Sequence, residues 1–176
     1  MPGGPQVWLL GSSLWSASAA AQLGLPYAFA HFISQEATRP AIDYYRTHFK
    51  PSKQLTAPWT ILALGAICAD SDEEAERLLT SARVFRRRIR RGDLRPIPSP
   101  EEALREIGEP MRPPLAQSGE WPRYFVGAPD NVRDRLIDMA SVLGADELMV
   151  VTIVHNQRAR LRSYELLAKA FRLTPR

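Results

Sequence analysis

The sequence predicts an α/β fold: about four parallel β/α units, interrupted once by an irregular, proline-rich excursion. Two observations carry this. Apolar runs near residues 7, 27, 60 and 147 alternate with segments of helical period, and that alternation is the pattern of parallel strands joined by right-handed helical crossovers. The longest run, Thr60–Ala69, is apolar without any polar alternation, as expected of a strand covered on both faces. At 176 residues the chain has the length of one domain, so residues 1–176 are expected to form a single one.

The elements follow in order. Val7–Leu10 reads as a strand, and Ser13–Leu23 as an alanine-rich helix closed by Gly24 in the C-cap role. Pro26 opens a second strand, Tyr27–Phe32. A helix from about Gln35 to His48 follows, with Ile42, Tyr45, Arg46 and Phe49 at helical spacing. After a loop comes Thr60–Ala69. Asp70 or Ser71 then caps a helix reaching about Arg91, and Asp72, Glu73 and Glu74 lie in its first turn, where the dipole favours acids. Leu94–Pro122 holds seven prolines, too many for one continuous element; only Pro100–Ile107 reads as a short helix. Tyr124–Val126 is a short strand, Gly127 a turn, and Pro129 opens a helix to about Leu143 that Gly144 ends. A strand at Glu147–Val154 and a helix at Asn156–Phe171 complete the chain.

Composition narrows the function classes. The formal charge of +4 comes from arginine, since Lys50, Lys53 and Lys169 are the only lysines; it fits an anionic cofactor as well as a nucleic acid. The single cysteine, Cys68, excludes an internal disulfide, reads as a buried thiol, and suits a cytoplasmic protein. His31, His48 and His155 lie too far apart for local metal-ligand spacing. The longest apolar stretch falls well short of a membrane span, and no signal peptide is expected. Arginines 83, 86, 87, 88, 90 and 91 form a basic run without interleaved aromatics, so a solvated or salt-bridged face is expected rather than nucleic-acid binding. Arg162 is expected to pair with Glu165 one helical turn away. Trp15 and Trp121 could stack on a ring, but core positions are expected, since aromatic side chains usually fill cores.

One stretch carries chemistry. In VWLLGSSLWSAS a strand stops on Gly11, Ser12 and Ser13 just before a helix. One reading is an N-cap alone; the other is an anion site made of backbone N–H groups and hydroxyls, and both can use the same donors. VWLLGSSLWSASAAAQLGLPYAFAHF, followed in order by IPSPEEAL, FVGAPDNVRDRL, GADELMVVTIVH and RARLRSYELLAKAF, resembles the second half of the bacterial luciferase-like flavin-dependent monooxygenases. The resemblance covers about residues 5 to 173. It implies part of a TIM (β/α)8 barrel, reduced FMN supplied by a reductase (with a deazaflavin as the alternative cofactor), and oxidation of a small organic substrate with O2. It places the flavin phosphate at Gly11, Ser12 and Ser13, with Ser16 one turn on as a second hydroxyl.

The resemblance also implies what lies elsewhere. This chain corresponds to the later strands of the barrel, and the family's early strands supply the substrate wall, flavin-ring contacts and a catalytic histidine. No catalytic residue is therefore assigned; His31, at the end of the second strand, and His155, after the last, are the candidates by position. A half-barrel leaves sheet edges uncovered, so a homodimer, a partner carrying the missing strands, or a truncated gene product is expected. The functional alternative is a flavin-binding or assembly protein without turnover.

Overall fold

The computed structural model describes residues 4–107 and 121–174. Five strands and six helices alternate among them: β1 (Leu9–Gly11), α1 (Leu14–Leu23), β2 (Tyr27–Ala30), α2 (Thr38–His48), β3 (Thr60–Cys68), α3 (Asp72–Ile89), α4 (Pro100–Ile107), β4 (Tyr124–Gly127), α5 (Pro129–Leu143), β5 (Glu147–Val151) and α6 (Gln157–Ala170). The α/β class and the parallel pairing match the reading of the sequence. Of the excursion, residues 108–120 lie outside the described residues.

The chain divides into two compact units. The first holds residues 4–64, 121–123 and 137–150, and the second holds 65–107, 124–136 and 151–174. In the first unit β1 pairs parallel with β2, Leu9 opposite Tyr27 and Gly11 opposite Phe29. In turn β2 pairs parallel with β3, Tyr27 opposite Thr60 and Ala30 opposite Ala63. The fourth strand there, β5, pairs with β3. Its start is tied by Asp146, whose N–H donates to the Thr60 carbonyl at 3.0 Å while its carboxylate accepts the Thr60 N–H at 2.8 Å. Tyr27, Phe29, Ile42 and Tyr45 are fully buried, and the Tyr45 hydroxyl donates to the Leu25 carbonyl at 2.9 Å.

In the second unit the rest of β3 pairs parallel with β4, Gly65 opposite Tyr124 and Cys68 opposite Gly127. Ile67, Ala75, Leu78, Leu79, Ala82 and Val154 form one apolar cluster. Cys68 is buried, as expected, and burial pushes its thiol up to about 11. At this pH behaviour it holds no thiolate under ordinary conditions.

Several boundaries differ from the sequence reading, each for a local reason. The first strand runs Leu9–Gly11 rather than Val7–Leu10, because its ladder starts where Leu9 N–H reaches the Pro26 carbonyl. The second ends at Ala30 instead of Phe32, since Ile33 and Ser34 both donate back to the Ala30 carbonyl and turn the chain. The next helix starts at Thr38, not Gln35, and its N-cap, Ala37, has no side chain to cap with. The third helix ends at Ile89. Most telling is β5, which stops at Val151 rather than Val154: Thr152 turns its hydroxyl to the Ala66 carbonyl (2.8 Å) and takes the Tyr164 hydroxyl on its N–H. Nor is β5 buried on both faces. All nine residues of β3 are buried, as expected of a strand with neighbours on both sides, whereas β5 is half exposed.

The arginine run is salt-bridged where its partners are visible: Arg83 reaches Glu76, and Arg87 and Arg88 share Glu106. Arg162 departs from expectation in degree. Its shorter bond is to Asp70 at 2.6 Å, and Glu165 stands 3.7 Å away. Trp15 is no core residue; 78% of it is exposed.

Candidate functional site

Two neighbouring parallel strands, β1 and β2, end side by side, and the candidate residues of the first unit collect at those C-terminal ends. In parallel α/β folds such ends are where functional groups are placed. Immediately past β1, Ser13 sits in extended conformation as the N-cap of α1, its hydroxyl accepting the Ser16 N–H at 3.4 Å. Ser16 completes a capping box by accepting the Ser13 N–H at 3.3 Å. Ser and Thr are well suited to this because a short hydroxyl reaches the orphan N–H groups of the first turn.

The Ser16 hydroxyl has a second task. It donates to the Ser13 carbonyl at 2.7 Å and receives the Tyr27 hydroxyl at 2.9 Å. Ser16 is 4% exposed and Tyr27 fully buried, so this hydroxyl faces the protein and holds the loop in shape. Burial pushes the Tyr27 phenol above its ordinary range, so it stays protonated and remains a donor. Gly11 fits the same packing. A Cβ there would fall 2.2 Å from the Ser16 Oγ, far inside van der Waals contact, so only glycine lets strand and helix approach this closely.

The result is a helix N-terminus with spare donors. The N–H groups of Ser16 and Ala17 are taken by Ser13, while those of Leu14 and Trp15, the first two helical positions, have no intrahelical acceptor. Ser12 and Ser13 precede them directly in the chain. No acidic residue occupies the first turn of α1, in contrast to α3, which carries Asp72, Glu73 and Glu74 there. Where a helix lacks its own first-turn acid, its positive end is available to an anion from elsewhere.

His31 follows β2 on the same edge. It is fully buried. Its Nε2–H donates to the Pro122 carbonyl at 3.0 Å, and its Nδ1 lies 2.7 Å from the Thr38 hydroxyl. A carbonyl can only accept, which places the proton of the neutral ring on Nε2. Burial, first of all, lowers its proton affinity, so the ring is neutral. Around it Gln35 donates to the Trp121 carbonyl (3.0 Å), Arg123 to those of Phe32 and Ile33, and the Arg39 guanidinium lies over the Trp121 ring at 5.1 Å. Both ring nitrogens thus engage protein groups, which gives His31 a clasping role between the turn after β2 and residues 121–123. His155 belongs to the second unit. It is exposed, its Nδ1–H donates to the Ile97 carbonyl at 2.8 Å, and it borders a cleft of about 470 Å3 with Glu74, Arg77, Ser99, Glu101 and Asn156.

Gly11, Ser12, Ser13 and Ser16 are therefore brought together, with His31 on the adjoining strand end. Sequence reasoning missed Tyr27 and Thr38. The signal for Tyr27 lay in its strand position: a polar tip on an otherwise apolar strand needs a buried partner. Among the described residues no group of three or more His, Cys, Asp or Glu could hold a metal ion.

A family model of the luciferase-like monooxygenases matches residues 1–147. The chain belongs to the luciferase-like monooxygenase family. It is 38% identical over 160 residues to a luciferase-like monooxygenase of Escherichia coli (strain K12), covering 91% of this chain and 48% of that protein. It is 26% identical over 171 residues to the N-acetyl-S-alkylcysteine monooxygenase of Bacillus subtilis (strain 168), covering 94% and 49%. The crystal structure of apo-MsnO8 is similar over 100% of this chain and 54% of its own, with a TM-score of 0.89 and 54% identity. The FMN complex of the oxygenating constituent of 3,6-diketocamphane monooxygenase, from the CAM plasmid of Pseudomonas putida, has a TM-score of 0.55 at 19% identity, covering 95% of this chain and 48% of its own; that likeness speaks for the fold alone. As a luciferase-like chain it has the expected α/β class, and it spans about half the length of the curated relatives it matches. No helix among the described residues is long and apolar enough to cross a membrane.

Proposed function

We propose that this chain carries the flavin-phosphate site of a luciferase-like flavin-dependent monooxygenase that oxidises a small organic substrate with O2. The observation that carries the reading is the first turn of α1: free of acids, opened by Gly11, Ser12 and Ser13, and set at the C-terminal end of a parallel strand. FMN fits this donor set. A phosphate dianion needs several converging N–H and O–H donors and no nearby carboxylate. The N–H groups of Leu14 and Trp15 and the hydroxyls of Ser12 and Ser13 would bind it. Ser16 and Tyr27 act as positioning residues, fixing the Ser13 carbonyl so that the neighbouring N–H groups face outward. When bound, reduced flavin supplies the electrons that activate O2; the protein holds it in place and limits water access.

Substituting Ser13 by Asp tests this cleanly. Asp is itself a good N-cap, so the helix is preserved while a negative charge enters the proposed phosphate site. Fluorescence titration is expected to show FMN binding lost and weak riboflavin binding retained, with Ser13→Asn, a neutral cap, close to wild type. Unchanged FMN affinity in Ser13→Asp would place the phosphate elsewhere.

A second reading is favoured by one observation, the span of about half the relatives' length: a flavin-binding protein without turnover. Both readings expect little turnover from the isolated chain; coupled oxygen consumption that appears when a partner carrying the other strands of the barrel is added would support the first, and its continued absence the second.

A further inference from the structure

Within the first unit, residues 121–123 lie against the turn that follows β2. Side chains from both partners fasten them there. The His31 Nε2–H donates to the Pro122 carbonyl at 3.0 Å, and Gln35 donates to the Trp121 carbonyl at 3.0 Å. Arg123 reaches back to the Phe32 and Ile33 carbonyls at 2.6 Å each, and the Arg39 guanidinium lies 5.1 Å from the centre of the Trp121 ring. Amide and guanidinium groups keep their protons at every ordinary pH; the imidazole does not. It is also the member closed off from water: His31 is fully buried, whereas Arg39 is exposed and Gln35 and Arg123 are half-buried.

We infer that residues 121–123 are an acid-released strap over the end of β2, with the His31 ring as its trigger. Hydrogen bonding alone does not keep a second proton out. The Thr38 hydroxyl stands 2.7 Å from the ring Nδ1 and 3.2 Å from the Ser34 carbonyl. Toward a neutral ring it donates to Nδ1; from a charged ring it accepts the Nδ1–H and turns its own proton to Ser34. Charge decides instead. A protonated ring would be a cation enclosed without water. Arg123 from the strap opposes that charge, while Glu36, exposed in the turn, and the Pro122 carbonyl favour it. Arg39 from α2 adds a further cation on the Trp121 side. Burial outweighs the favourable contacts and holds the proton affinity of the ring below its ordinary value of 6.5. Detaching Pro122 gives the ring water, so acid favours the detached strap. The ratio of open to closed strap then rises by up to about tenfold per pH unit below 6.5, until the closed ring itself takes the proton. What opens is the C-terminal end of β2, whose Phe29 lies opposite Gly11 of β1. The switch requires no flavin at the Gly11–Ser13 turn.

Hydrogen exchange detected by NMR tests this on the chain itself. The amides of His31, Ile33 and Ser34 donate within the turn, to the Phe29 and Ala30 carbonyls, and report its opening. After correction for intrinsic exchange rates, their protection is expected to fall by up to about tenfold per pH unit below 6.5, while the amides of β3 stay protected. In the same wild-type samples the His31 ring is expected to titrate below 6.5. In His31→Gln, which has nothing to titrate at this place, protection of the turn is expected to be flat over the same range. Wild-type protection that ignores pH, a His31→Gln variant that keeps the wild-type slope, β3 amides lost together with the turn, or a ring that titrates at or above 6.5 would each overturn the switch. The wild-type exchange and ring titration decide the matter even where the variant does not fold.

Discussion

At the scale of single residues, a buried neutral histidine makes stability depend on pH. His31 is fully enclosed, and burial depresses its proton affinity below the ordinary value of 6.5. The unfolded chain therefore binds a proton at a pH where the folded one does not. Stability from this residue is complete above about pH 6.5 and is lost as pH falls through that value toward the folded-state pKa. Urea unfolding is expected to show wild type losing more stability than His31→Gln between neutral and mildly acidic pH, while Gln, able to keep a donor toward Pro122, shows a flatter profile. Equal pH slopes would show that another group dominates. Beside burial, Arg123 lowers and Glu36 raises the proton affinity of His31, and both effects leave with the ring in His31→Gln. Gly11 makes the complementary point: its importance is steric, set by a Ser16 side chain that a Cβ would strike.

At the scale of elements, helix ends recur as the points where local chemistry and packing meet. Ser13, Ser71 and Asn156 cap α1, α3 and α6 with their own side chains; the sequence offers the first two among its cap candidates, whereas it reads Asn156 as the first residue of its helix. The start of α5 is handled differently. Asp72, in the first turn of α3, accepts the Ala128 N–H at 2.6 Å, and Gly127, at φ +142, leaves room for that carboxylate, whose oxygen would lie 2.5 Å from a Cβ. One acid thus serves its own helix and its neighbour. Asp72→Ala is expected to cost about 1–2 kcal/mol, the usual loss for a removed cap, read from chemical unfolding; Asp72→Asn, which keeps the acceptor oxygen, is expected to recover most of it. A cost within error of zero for Ala would show that solvent replaces the carboxylate without penalty.

At the scale of the whole molecule, fold class and family came through clearly, and the chain spans about half the length of the relatives it matches. Supplied with FMN, a flavin reductase and NAD(P)H, the isolated chain is expected to show little or no oxygen consumption coupled to oxidation of an aldehyde or similar small substrate. Substantial coupled turnover would require catalytic groups within residues 1–176, with His155 examined first because its ring is exposed, and His31 second.

The sequence by itself determined the order and type of the elements, the capped helix ends, the buried central strand and the Gly-Ser-Ser turn, because periodicity, propensity and capping act over a few neighbouring residues. Both ends of Pro100–Ile107 and the start of Pro129–Leu143 match the reading of the sequence; each helix is opened by proline, whose fixed φ and missing N–H suit a first helical position. Only the tertiary structure decided the rest. Tyr27 meets Ser16 across eleven positions, His31 meets Pro122 across ninety-one, and Thr152 leaves the β5 ladder for a carbonyl eighty-six residues away. The exposure of β5 has the same origin: its residues look as apolar as those of β3, but burial depends on how many neighbours a strand finds, and that is a property of the assembled sheet.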